Sequence, residues 1–112
     1  MTIQVIDQGN VTILEMKGKI MGGPDAGVLN ENIHELIKNG KKKIVVNLAG
    51  VDWMNSSGLG ILISALTTIR NNGGELKLAS LTDKIKNLLT ITKLSNVFEK
   101  YDSVSEASAS FK

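Results

Sequence analysis

The chain has 112 residues, the size of one domain, and thirteen basic against eleven acidic side chains leave a formal net charge of +2. That balance is no nucleic-acid footprint, and the one basic run, Lys41-Lys42-Lys43, reads as a solvated loop before a strand. With no cysteine, disulfide and thiolate chemistry are excluded; no segment nears the roughly 20 apolar residues of a membrane span, and no basic start leads into an apolar stretch as in a signal peptide, so a single cytoplasmic domain over 1–112 is expected.

Ile3 and Val5 alternate with Thr2 and Gln4, and Val11 and Ile13 flank Thr12. Both runs read as strands, Thr2–Ile6 and Val11–Lys17. Asp7-Gln8-Gly9-Asn10 between them is turn-like, so the two form a hairpin. Pro24 suits a first helical position and Asp25 the positive end of a helix dipole. Val28, Leu29, Ile33, Leu36 and Ile37 then recur at helical spacing until Asn39-Gly40. Lys43–Leu48 (KIVVNL) is a short β-branched run suited to a buried strand.

Ala49 to Gly58 reads as a loop. Leu59, Leu62, Leu66 and Ile69 mark an amphipathic helix that stops at Asn71-Asn72-Gly73-Gly74. Glu75–Ala79 (ELKLA) alternates like a strand. Thr82–Ile91 reads as a helix with Thr82 as its cap, Val97–Tyr101 as a short strand, and Ser103-x-x-Glu106 as the capping pattern of a last short helix. The order β-β-α-β-α-β-α-β-α predicts an α/β domain. Its mixed sheet opens with an antiparallel hairpin and continues through alternating helices and parallel strands.

In such folds function sits in loops at the carboxyl ends of parallel strands. The chemically unusual loop here runs from Val51 to Gly60, out of a buried strand and into a helix N-terminus. It offers two hydroxyls, Ser56 and Ser57. One of them is expected to cap the helix and the other to point outward. The plain reading is a pair of helix caps.

Asp52-Trp53-Met54-Asn55-Ser56-Ser57-Gly58-Leu59-Gly60 resembles the signature of the STAS domain family, and in particular that of bacterial anti-sigma-factor antagonists. The family pattern is an aromatic or apolar residue, Met or Ile, Asp, Ser, Ser or Thr, Gly, Leu and Gly. The order of elements matches along nearly the whole chain. The resemblance implies a regulatory binding module with no catalysis of its own and no cofactor. Unphosphorylated, such a module binds an anti-sigma factor that is also a serine kinase; phosphorylated, it lets go. Carried over residue by residue, the acceptor is Ser56, the second hydroxyl is Ser57 and the turn into the helix is Gly58. The implied partner surface comprises Met21, Trp53, Met54, Asn55, Ser56, Ser57 and Gly58, on a monomer or weak dimer. Two departures stand out: Asn55 stands where the best-known members carry Asp, and Gly22-Gly23-Pro24 where those members have a more polar segment, often with an Asp that contacts the partner and that aligns with Met21. The resemblance also leaves two other readings open, an accessory subunit of a lipid-transport ATPase and a module that senses a small ligand such as a nucleotide.

Other motifs point elsewhere only weakly. His34, the single histidine, has no second His or Cys for a metal site and reads as a surface residue. Gly22-Gly23-Pro24 lacks the Lys and Ser/Thr of a phosphate-cradling loop, and Gly58-x-Gly60 is too short for a dinucleotide fingerprint. Met16, Met21 and Met54 read as packing or contact residues.

Overall fold

Gly9 adopts φ 77 and lets the chain reverse in two residues. The flanking segments, β1 (Thr2–Gln8) and β2 (Val11–Ile20), therefore pair antiparallel with Gln8 opposite Val11. Helix α1 (Pro24–Lys38) follows, then β3 (Lys43–Met54), α2 (Ser56–Asn71), β4 (Glu75–Ala79), α3 (Asp83–Ile91), β5 (Lys100–Tyr101) and α4 (Val104–Ala109). The computed structural model describes residues 1–111. Within them the sheet has five strands in the order β1-β2-β3-β4-β5, antiparallel only between β1 and β2. The expected α/β architecture and element order are those observed.

The boundaries differ where tertiary pairing overrides local pattern. The presumed loop from Ala49 is strand as far as Met54, because β3 stays paired with β2 through Lys17↔Gly50, Gly18↔Val51, Lys19↔Trp53 and Ile20↔Met54, past two register shifts. Those shifts and the exposed Ala49, Gly50 and Asp52 hide the alternation from a reading of sequence alone. Helix α2 begins at Ser56, three residues before the apolar stripe. Strand β5 keeps only Lys100 and Tyr101 of the expected Val97–Tyr101. Val97 N–H instead closes a turn on the Leu94 carbonyl at 3.1 Å, and Phe98 turns into the core. Thr82 holds the N-cap position of α3, yet its hydroxyl is buried without a partner and caps nothing. Ser103 does cap α4, accepting from Glu106 N at 3.1 Å.

One core cluster joins the sheet's Leu14, Met16, Ile44, Val46 and Leu78 to Leu29 and Ile33 of α1, Leu62 and Leu66 of α2, and Ile85 and Leu89 of α3. Alternate residues of the same strands point the other way. There Val11, Ile13, Val45 and Ala79 meet Ala107 of α4 in a smaller cluster. Lys77 is buried at that margin, donating to Ser110 Oγ at 2.6 Å with its ammonium 4.3 Å from the centre of the Phe111 ring. The sheet is thus clamped on both faces, and the carboxyl ends of β2 and β3 lie side by side at one end of it.

Candidate functional site

Two helices start from that end. The chain leaves β2 through Met21-Gly22-Gly23 into α1, and leaves β3 through Asn55 into α2. Asn55 ties the two exits together. Its backbone is extended (φ −105, ψ −178), its Oδ1 accepts from Gly58 N at 2.8 Å, and its Nδ2 donates to the Met21 carbonyl at 3.2 Å. Its own N–H donates to the Ile20 carbonyl at 3.3 Å, and its carbonyl accepts from Leu59 N at 2.9 Å. The cap of α2 is therefore Asn55, not either serine. An amide side chain can do both jobs because it carries an acceptor and a donor on one planar group. Neither Ser56 nor Ser57 is needed as a cap. Both are exposed, and among the described residues neither hydroxyl has a hydrogen-bond partner.

The neighbouring segment is held with equal care. Asp25, expected to serve the dipole of α1, also accepts from Met21 N at 3.0 Å through Oδ2. The Met21 peptide is thus gripped at its N–H by Asp25 and at its carbonyl by Asn55, while the Met21 residue is 51% exposed. Gly22 follows with φ +94, and a Cβ there would stand 2.9 Å from Ser57 Cβ. Gly58 is tighter still: a Cβ would stand 2.2 Å from the Ile20 carbonyl oxygen. The first turn of α2 lies directly against the end of β2, and only a residue without a side chain fits between them.

The structure sorts the seven candidate residues by depth. Met21, Ser56 and Ser57 are exposed, and Trp53 and Asn55 are partly exposed. Met54, 7% exposed, and Gly58 are buried and shape the surface from beneath rather than forming it. Beside Ser57 a cleft of about 430 Å³ runs between α1 and α2, lined by Ala26, Gly27 and Asn30 on one side and Ser57, Gly60 and Ser64 on the other. Small side chains on both helices leave it open, and no titratable group lines it. Sequence reading missed this cleft and the grip on Met21. The spacing of Gly27 and Gly60 within their helices was a signal for the first, and the Met21-x-x-x-Asp25 separation for the second.

Chemically, the site presents a bare hydroxyl at a helix N-terminus. Among the described residues no group of three or more His, Cys, Asp and Glu is placed to hold a metal, and His34 is exposed on α1. Ser56 is the first residue of α2, where the helix dipole favours negative charge by about 0.3–1 kcal/mol. A phosphoserine carries about −1.5 to −2 charge near neutral pH, the sign that this end of the helix favours.

The family model described as the STAS domain matches residues 2–107. A Thermotoga maritima protein named "Putative anti-sigma factor antagonist" is 33% identical over 73 residues, 65% of this chain and 65% of that one. The anti-sigma-B factor antagonist of Staphylococcus aureus is 33% identical over 69 residues, 62% of this chain and 64% of that one. In sequence the match therefore spans just under two thirds of these curated relatives. In structure, the Bacillus cell fate determinant SpoIIAA in its phosphorylated form superposes with a TM-score of 0.75 at 15% identity, covering 99% of this chain and 100% of that one, which is a likeness of fold.

Proposed function

The chain belongs to the STAS domain family, and on that premise we propose that it is an anti-sigma-factor antagonist whose binding surface is switched at Ser56. The observation that carries this reading is the release of both serines from capping: Asn55 takes the cap, so the Ser56 hydroxyl stands exposed at the end of the sheet, and among the described residues none engages it. The names of the Thermotoga and Staphylococcus relatives favour the same role. The partner is an anti-sigma factor that is also a serine kinase, met in the cytoplasm, and the protein is its substrate rather than an enzyme. No described helix is long and apolar enough to cross a membrane.

The partner lies on Met21, Trp53, Ser56 and Ser57, with Asn55 at their centre and Met54 and Gly58 beneath. Large apolar side chains such as Met21 and Trp53 carry much of the energy of such contacts. A phosphate on Ser56 would have to be desolvated or opposed within that contact. A penalty of about 3 kcal/mol lowers affinity more than a hundredfold. The switch therefore works at the interface and asks no rearrangement of the fold.

The test is a pull-down from lysate with wild type and Ser56→Asp in parallel, followed by incubation of the captured kinase with ATP and mapping of the phosphosite. A kinase retained by wild type and lost with Ser56→Asp, and phosphate placed on Ser56, are the expected results. Labelling that persists unchanged in Ser56→Ala removes Ser56 from the role.

A further inference from the structure

The sheet has two edges, and they are built differently. On one side β5 contributes only Lys100 and Tyr101. On the other, β1 contributes the seven residues Thr2–Gln8. An edge strand offers a row of free N–H and C=O groups, which proteins blunt with short strands, Lys, Pro or bulges. Length and a lysine blunt β5. Strand β1 has no Pro, Lys or bulge, and its ladder to β2 runs unbroken from Thr2↔Lys17 to Gln8↔Val11. Its one charged side chain, Asp7, is already engaged by Lys41 Nζ at 3.0 Å. At its middle Val5 stands 46% exposed.

The hairpin decides which groups are free. A two-residue connection makes the pair that closes it, Gln8 and Val11, a hydrogen-bonded pair. Alternation then makes Ile6–Ile13, Gln4–Glu15 and Thr2–Lys17 hydrogen-bonded as well. Ile3, Val5 and Asp7 therefore turn their N–H and C=O groups outward, away from β2.

We propose that β1 is a self-association edge: two copies of this chain pair antiparallel through β1 about a two-fold axis at Gln4, joining their sheets into one. The register selects a second copy as the occupant. With the axis at Gln4, Ile3 of each copy lies opposite Val5 of the other, and both residues have outward backbone groups. A reciprocal pair of N–H···O=C bonds forms on each side of the axis. The exposed Val5 is covered by Ile3, which borders the main core, while Gln4 meets Gln4 and Thr2 meets Ile6 on the opposite face. No like charges oppose one another. An axis at Val5 would instead set Ile3 against Asp7. The match is isologous, as a two-fold interface requires.

One short strand buries far less than the roughly 1,200–2,000 Å² of stable complexes, so the dimer is weak and fills only at high concentration. Because the axis reverses the strands, the two Ser56 surfaces stand at opposite ends of the joined sheet and both stay free. The dimer is thus bivalent toward whatever binds that end.

The chain has no cysteine, so introduced thiols report cleanly. At an antiparallel axis Gln4 faces its counterpart as a non-hydrogen-bonded pair, with Cα atoms about 4.5 Å apart, inside the range of about 4.4–6.8 Å that a disulfide spans. Mild oxidation of concentrated Gln4→Cys should give a covalent dimer, and Gln8→Cys, exposed on the same face but far from the axis, should give none above collisional background. In sedimentation equilibrium the wild type should rise from monomer mass toward dimer with concentration. Val5→Lys should associate at least tenfold more weakly with an unchanged thermal midpoint. A wild type that stays monomeric at every concentration, a dimer untouched by Val5→Lys, or equal cross-linking of Gln8→Cys and Gln4→Cys overturns the proposal.

Discussion

The side-chain amide of Asn55 reaches the backbone carbonyl of Met21, thirty-four positions earlier in the chain, at 3.2 Å while its other end caps α2. The bond joins the exits of two parallel strands and so sets the shape of the surface that carries Ser56. An aspartate here would keep the cap and lose the bridge, because a carboxylate has no proton to donate.

Two substitutions separate those jobs. Asn55→Ala removes both and should cost about 1–2 kcal/mol of stability in urea unfolding. In Asn55→Asp the lost bond, about 0.5–1.5 kcal/mol, is offset by about 0.3–1 kcal/mol of charge–dipole attraction, so stability should change little. Met21 should nevertheless loosen in Asn55→Asp, read as faster exchange of the Met21 amide, which donates to Asp25 Oδ2. Unchanged exchange there would show that the bridge does not hold the segment.

Two glycines of α2 should answer oppositely to alanine. Gly58→Ala drives a methyl to 2.2 Å from the Ile20 carbonyl oxygen, so backbone must move; a loss of about 2–4 kcal/mol is expected. A Cβ at Gly60 meets nothing within 4 Å, so Gly60→Ala should gain up to about 1 kcal/mol of helix propensity. The same methyl narrows the cleft, and weaker partner binding by a stabilised Gly60→Ala would show that the partner uses it.

The two N-cap positions late in the chain should differ as their hydroxyls do. Ser103 accepts from Glu106 N, so Ser103→Ala should cost about 1 kcal/mol. Thr82 Oγ1 is buried without a partner. Thr82→Val replaces an unsatisfied hydroxyl with a methyl and should leave the thermal midpoint unchanged or raise it.

Lys77 should prove to be a packing residue as much as a charge. Only 7% of its side chain is exposed, and its ammonium lies over the Phe111 ring. Lys77→Met keeps the stem and the aromatic contact and should be tolerated within about 1 kcal/mol. Lys77→Ala removes the stem as well and should cost about 2–3 kcal/mol. The loss should appear first as hydrogen exchange in α4, which packs against that margin, and only later in the main core.

Much of this is legible in the sequence. The alternation in Thr2–Ile6 and Glu75–Ala79, and the helical spacing from Leu29 to Leu36, are local consequences of burying one face, and so they are written in consecutive residues. The Asp52–Gly60 motif marked the candidate site for the same reason, since its residues lie within a few positions of one another. The course of β3 beyond Leu48 was hidden, because pairing with β2 maintains it across exposed Ala49, Gly50 and Asp52. Nothing local singles out Asn55 as the cap, because Ser, like Asn, is a good N-cap, and local preference does not choose among three candidates in a row.

The sequence by itself determined the element order, the inner faces of the helices and the position of Ser56 at a helix start, all set by interactions between near neighbours. The tertiary structure alone decided that Asn55 caps, that Gly58 can carry no side chain, and that Met54 turns inward. Each of these depends on the end of β2, some thirty-five residues away along the chain, lying against the first turn of α2. A contact between distant segments leaves no periodic trace in either of them.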